Sequence, residues 1–274
     1  MHYLEWGTVR AANVLCLHGG GQTAYMYEEL GSALAPTYHV LAPDLPDHGD
    51  SDPIGGDRAG DRHALAATLP PLFDHFGIAP AVVVGASLGG ITAITLGAAR
   101  PDLVGGVVLI DIGHRLEEEG VRRIIDFMRA HESFGSLDDA AAEISRYLPQ
   151  RKQVRPESLT RNLRQRGDGR WIWKHGMARR WREEGGVEEL PDWRNILEGL
   201  ADDAAALRCP VLVLRGGKSD VLSDQGAEEI AEIIHDSRLR TVANAGHLAA
   251  GDNPESTVGL VKCFLEEIGW SKGG

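Results

Sequence analysis

The sequence predicts an α/β architecture: a mostly parallel central sheet flanked by helices, with one inserted helical segment. Three observations carry this. Apolar runs of strand length alternate with helix-patterned segments along most of the 274 residues. The ends of several apolar runs are marked by glycine-rich or acidic turns. A single stretch, 113–206, breaks the alternation.

In chain order, strands are expected at 12–17, 38–43, 81–85, 104–110, 210–215 and 238–243. Helices are expected at 24–34, 61–76, 87–99, 224–235 and 254–268. The strand runs, Val14-Leu15-Cys16-Leu17 among them, are continuous rather than alternating, as strands covered on both faces are. The last two helices combine Glu and Ala with periodic Ile, Leu and Val. No convincing strand is expected between Ile112 and Leu207, a segment that reads as helical, charged and rich in tryptophan.

Composition bounds the class. With 43% hydrophobic and 25% charged residues the chain has the balance of a folded globular protein. No apolar run approaches the roughly 20 residues needed to span a bilayer, which argues against a membrane partner. Met1–Trp6 lacks the basic and apolar regions of a signal peptide, so a cytoplasmic location is expected. A net charge of −12 argues against a nucleic-acid partner, since phosphate binding needs excess positive charge. Cys16, Cys209 and Cys263 are too few and too scattered for a disulfide framework or a zinc site, and each is read as a small core residue. No metal ligand set is expected. Nothing in the sequence bears on oligomeric state.

The strand ends carry the chemistry, because ligands in open α/β sheets bind outside the carboxyl ends of the strands. The run Ala81–Val84 breaks at Gly85-Ala86-Ser87-Leu88-Gly89 and continues into a helix. Such a strand-turn-helix holds a nucleophilic serine, with Gly85 and Gly89 giving room for the tight turn. After 12–17 comes His18-Gly19-Gly20-Gly21, whose backbone N–H groups could face an oxyanion. No Gly-Lys-Ser or Gly-Lys-Thr follows it, which argues against a phosphate loop. After 38–43 comes Asp44-Leu45-Pro46-Asp47-His48-Gly49-Asp50-Ser51, a polar turn expected to organise its own loop. Asp111 follows 104–110, Gly216-Gly217-Lys218-Ser219-Asp220 closes the strand at 210–215, and Asn244-Ala245-Gly246-His247 follows 238–243.

Taken together, the order Ser87, Asp220, His247, the upstream His18-Gly19-Gly20-Gly21 and the insertion after Asp111 resemble the α/β-hydrolase family. The turn 44–51 is similar to the family's Asp-x-x-Gly-His-Gly-x-Ser, and the likeness covers nearly the whole chain. There are departures. Tyr3-Leu4-Glu5-Trp6-Gly7 resembles the family's second strand, so the first strand is missing and one sheet edge is expected to be bare. Pro46-Asp47 replaces the common Arg-Gly, and Ala86 stands where relatives often carry a polar residue.

The resemblance implies a serine hydrolase acting on carboxylic esters of small molecules, with Ser87 as nucleophile, His247 as base and Asp220 as the orienting acid. Leu88 and Gly20 would give the oxyanion-hole N–H groups. No cofactor is implied. Asp111 is the rival acid, because some relatives place that residue one strand earlier. Lactonase, carbon–carbon bond hydrolase and perhydrolase chemistry use the same parts, whereas epoxide hydrolases and haloalkane dehalogenases would need Asp in place of Ser87. From another class, a non-catalytic receptor could keep the fold and bind a small ligand.

A body from 1–112 and 207–274 and a helical cap from 113–206 are therefore expected. Within the cap, residues 151–182 carry a local charge of +9, with only Glu157 and Asp168 against Arg151, Lys152, Arg155, Arg161 and seven further Lys or Arg. Trp171, Trp173 and Trp181 beside these cations, together with His18, Gly19 and Gly21, are candidates to line a substrate pocket. The favoured reading of the basic residues is a solvated face pairing with Glu183, Glu184, Glu188 and Glu189, with the tryptophans filling the small core of the cap.

Overall fold

A computed structural model describes residues 1–9, 11–54, 61–149, 151, 154–176 and 193–271. Ten strands are present among them: β1 Tyr3–Trp6, β2 Ala12–Leu17, β3 Tyr38–Pro43, β4 Ala81–Ala86, β5 Val104–Ile110, β6 Ser133–Phe134, β7 Leu163–Gln165, β8 Trp171–Trp173, β9 Val211–Gly216 and β10 Ser237–Val242. The principal sheet has seven strands in the order β1-β3-β2-β4-β5-β9-β10. All neighbours in it are parallel except β1, which pairs antiparallel with β3 at one edge, Tyr3 opposite Pro43.

The parallel strands are buried on both faces, and their side chains divide by the two-residue period. Leu15, Val83, Val107, Leu109, Val211 and Val213 enter one hydrophobic cluster. Their chain neighbours Val14, Cys16, Val82, Val84, Val108, Leu212 and Leu214 enter the other. Helices α2 Arg62–Ala67, α3 Pro70–Phe76, α4 Leu88–Ala99, α7 Leu200–Ala205 and α8 Asp224–Ile233 cover the first face. Helices α1 Glu28–Leu34 and α10 Pro254–Glu267, with the short α9 Ala249–Asp252, cover the second.

Two local departures from expectation have clear causes. The helix expected at 61–76 is two helices, because Pro70 and Pro71 lack N–H groups and start a new helix instead of continuing the old one. Cys16 and Cys209 are core-packed, and burial raises both thiols, Cys209 to about 11. Cys263 is exposed instead, since it lies between Val261 and Phe264 on the outward side of α10.

Between β5 and α7 lie α5 Glu118–Ala130 and α6 Leu137–Tyr147, as expected, but also strands. β6, β8 and β7 form a three-stranded antiparallel sheet, correcting the all-helical reading of this segment. A third hydrophobic cluster, including Met128, Phe134, Ile144, Leu148, Leu163 and Trp173, belongs to this insertion. Its last strand is tied to the body by backbone bonds: Gly49 N–H donates to the Lys174 carbonyl at 2.6 Å and Gly176 N–H to the Asp47 carbonyl at 2.8 Å. Trp181 and the acidic residues 183–189 lie outside the described residues. Among the described residues no helix is long and apolar enough to cross a membrane.

Candidate active site

Ser87 sits at the turn from β4 into α4 with φ 47° and ψ −114°, a left-handed conformation that costs a non-glycine residue strain energy. The surroundings enforce it. Ser87 N–H donates to the Ile110 carbonyl, and the Ser87 carbonyl receives the N–H groups of Gly90 and Ile91. The turn closes only because side chains are absent beside it: a Cβ on Gly89 would lie 2.0 Å from the Leu17 carbonyl oxygen, and one on Gly85 would lie 2.3 Å from that of Gly89. Leu88 is the first residue of α4, where an N–H has no acceptor within its own helix.

The glycine run after β2 lies against this turn. A Cβ on Gly19 would come within 3.5 Å of the Ser87 Cβ, whereas one on Gly20 would meet nothing within 4 Å. His18 anchors the run from beneath. Its Nε2 accepts the Leu45 N–H at 2.9 Å, so its proton resides on Nδ1, which donates to the Gly19 carbonyl at 2.8 Å. Burial and the neighbouring His48 push the His18 imidazole down to about 3, so it is a neutral spacer between two loops. The 44–51 turn is likewise self-organised. Asp44 is buried and accepts the N–H groups of Ala24 and Asp50 and a 2.6 Å contact from His2 Nδ1.

His247 follows β10, and its Nδ1 lies 2.8 Å from Oδ2 of Asp111, not from Asp220. Asp111 is 0% and His247 10% exposed. At φ 52° Asp111 turns out of β5, and its carboxylate also accepts the Gly216 N–H at 2.7 Å and the Ser219 hydroxyl at 2.5 Å. The expected His247–Asp220 pairing is therefore corrected. Asp220 is held away because its loop is packed beneath α5: Glu117 N–H donates to the Val221 carbonyl, and Gly120 approaches the Asp220 carbonyl so closely that a Cβ there would be 2.1 Å from it. The Asp220 side chain, 37% exposed, pairs with Arg123 of α5 at 2.8 Å. Gly246, just before His247, donates its N–H to Asp252, which lies 3.4 Å from Arg151.

Ser87, Leu88, Gly19, Gly20, Gly21 and His247 all line one cavity of about 1170 Å³. Its opposite wall is apolar and comes from the insertion: Ile124, Phe127, Met128, Ile144, Tyr147, Leu148 and Trp173. Two residues expected in the pocket are not in this lining. His18 is fully buried under the glycine run, and Trp171, one strand step beyond Trp173, packs at the margin of the third cluster. Sequence reasoning missed the apolar faces of α5 and α6; the run Ile124-Ile125-Asp126-Phe127-Met128 is the signal that could have found them.

The lining is mixed in charge rather than basic. Arg123, Arg151, Arg155 and Arg161 line the cavity among the described residues, but so do Glu28, Glu29, Asp47, Asp220, Asp252 and Glu255. Arg161 is paired with Glu28 and Arg123 with Asp220. One group of potential metal ligands gathers among the described residues, His2, Asp44 and Asp50, with ligand atoms within 4.8 Å of one another. Those atoms already serve the 44–51 turn, and Asp50 also pairs with Lys174.

The chain is similar to known hydrolases in sequence and in fold. The chain is 29% identical to esterase Rv0045c of Mycobacterium tuberculosis over 96% of its own length and 85% of that protein's. It is 27% identical to the pimeloyl-[acyl-carrier protein] methyl ester esterase of Neisseria meningitidis, covering 92% of each chain. An α/β hydrolase of Novosphingobium aromaticivorans superposes with a TM-score of 0.79 at 29% identity, over 97% of this chain and 93% of that one. The family model for the alpha/beta hydrolase fold matches residues 12–254, and the chain belongs to that family.

Proposed function

We propose that this hydrolase cleaves carboxylic esters of small molecules through an acyl-enzyme on Ser87, with His247 as base and Asp111 as the acid that orients it. One observation carries the assignment: the buried Asp111 carboxylate holds His247 Nδ1 at the wall of the cavity that Ser87 also lines. The names of the relatives, an esterase and a methyl ester esterase, support the same reaction class.

The steps follow from the donors and acceptors. With Nδ1–H given to Asp111, Nε2 of His247 has a lone pair to take the Ser87 hydroxyl proton as Oγ attacks the ester carbonyl. The N–H groups of Leu88 and Gly20 receive the oxyanion; one such donor is worth about 2.7–4 kcal/mol in related chemistry. Collapse of the tetrahedral adduct breaks the bond to the alkoxy oxygen, which leaves as the alcohol with the proton from His247. Water, deprotonated by His247, then attacks the acyl-enzyme and releases the carboxylic acid.

In this reading 1–112 and 207–274 supply the chemistry, and 113–206 acts as a cap that sets the substrate. The cap's apolar wall and the cavity's size, somewhat above the roughly 300–1,000 Å³ of ordinary ligand sites, favour an ester with a sizeable apolar acyl or alcohol group. Hydrolysis of p-nitrophenyl esters of graded chain length tests the proposal, with a fluorophosphonate to label the nucleophile. Turnover with a burst and one phosphonate on Ser87, both lost in Ser87→Ala, is expected. Absence of both burst and label from the wild-type protein would sink it.

A further inference from the structure

We infer that Ser219 is a positioning residue of the active site: its hydroxyl fixes the direction and charge of the Asp111 carboxylate and, through it, the imidazole of His247. The inference rests on the serine-hydrolase reading above and adds a residue to it.

The assignment comes from a complete accounting of one hydroxyl. A serine Oγ has one proton to give and two lone pairs to receive with. Here the Val221 and Leu222 N–H groups both donate to Ser219 Oγ at 3.2 Å. The lone pairs are thereby occupied, and the proton must point along the remaining contact, the 2.5 Å one to Asp111 Oδ2. The same Oδ2 receives His247 Nδ1–H, while Oδ1 receives the Gly216 N–H. Ser219 and His247 therefore compete for electron density on a single oxygen. The loop that the sequence marked as the source of the acid supplies this hydroxyl from the residue just before Asp220.

Removing the hydroxyl would leave Asp111 Oδ2 with His247 as its one remaining donor. The carboxylate then pulls harder on Nδ1–H, and the imidazolium gains stabilisation. Other charges around this pair include Asp220, held by Arg123 of α5, Asp252, which lies 3.4 Å from Arg151 and accepts the Gly246 N–H, the buried Arg215, which donates to the Leu222 carbonyl and pairs with Asp224, and the exposed Lys218. None of them is altered in the variants below.

The test compares wild type with Ser219→Ala, Ser219→Cys and Ser219→Thr. In Ser219→Ala, kcat should fall about tenfold, the size expected for one hydrogen bond to a charged group, because the carboxylate and the imidazole it holds lose their fixed direction and this outweighs the gain to the imidazolium; KM should change little. The acid limb of the kcat/KM profile should move to higher pH. The downfield proton resonance of His247 Nδ1–H, read by NMR without substrate and assigned by its loss in His247→Asn, should move further downfield. Ser219→Cys, a weak donor of similar size, should fall between, and Ser219→Thr should restore the wild-type rate and resonance. An unmoved resonance and profile in the Ala or Cys variant overturns the inference. So does a loss seen only as raised KM and lowered thermal midpoint, which would make Ser219 a loop brace. The proposed function fails separately, by absence of phosphonate on Ser87 of the wild-type protein.

Discussion

Replacing Asp111 by Asn should nearly abolish turnover, and the hydrogen bonds show why. An asparagine amide has one acceptor end and one donor end. If its NH₂ faced Gly216, it would oppose a buried backbone N–H that now donates at 2.7 Å, at a cost of about 1–3 kcal/mol for the stranded donor. The oxygen therefore stays on Gly216 and the NH₂ faces Ser219 and His247. Ser219, whose lone pairs already receive the Val221 and Leu222 N–H groups, is left facing a donor, and His247 must present a lone pair at Nδ1 and carry its proton on Nε2, the atom that should receive the Ser87 proton. The wrong tautomer costs about 10⁴-fold in the chymotrypsin-type triad, which corresponds to about 5 kcal/mol of transition-state stabilisation. Asp220→Asn removes only a half-exposed ion pair with Arg123, worth about 0–1 kcal/mol, so kcat should stay within a few-fold of wild type. The assay is steady-state p-nitrophenyl ester hydrolysis, normalised to sites counted by phosphonate titration. A crippled Asp220→Asn beside an active Asp111→Asn would refute the assignment.

Two further predictions concern the frame. His18 is pushed from 6.5 to about 3 by burial and His48, so between those values the unfolded chain binds a proton that the folded one refuses, and stability must fall as pH falls below about 6.5. The loss at pH 5 should be about 2 kcal/mol, and urea unfolding at pH 7 and pH 5 should show part of that difference disappear in His18→Gln. Gly89→Ala forces a Cβ to 2.0 Å from a carbonyl and should cost at least about 1–3 kcal/mol, whereas Gly259→Ala, in open space on the exposed side of α10, should add about 0.5–1 kcal/mol. Thermal midpoints moving in opposite directions would bear this out; equal shifts would contradict it.

The buried strands were legible because their burial on two faces writes a continuous apolar run. β2, β3, β4 and β5 begin where expected, and β9 within a residue, because each run is bounded by turn residues. Ser87 was legible because the elbow requires glycine at fixed offsets, a constraint local in sequence. The carboxylate that meets His247 was not, since Asp111 and Asp220 both follow strands. What separates them is whether the 216–222 loop packs beneath α5, a contact between segments a hundred residues apart. The small sheet escaped for a different reason: β6, β7 and β8 are two or three residues long, too short for a period of two to emerge.

The two backbone bonds between 47–49 and 174–176 decide how the insertion is held to the body. They join main chain to main chain, so they fix one flank of the chamber whatever side chains the joined residues carry. That flank is a wall, and His48 faces His175 across it. The insertion meets the body elsewhere through side chains, Arg161 on Glu28 and Arg151 near Asp252, so those ties depend on residue identity and the seam does not. Substitutions of side chains at the seam should leave these bonds in place, while those on α5 and α6, whose side chains line the cavity, should reshape it.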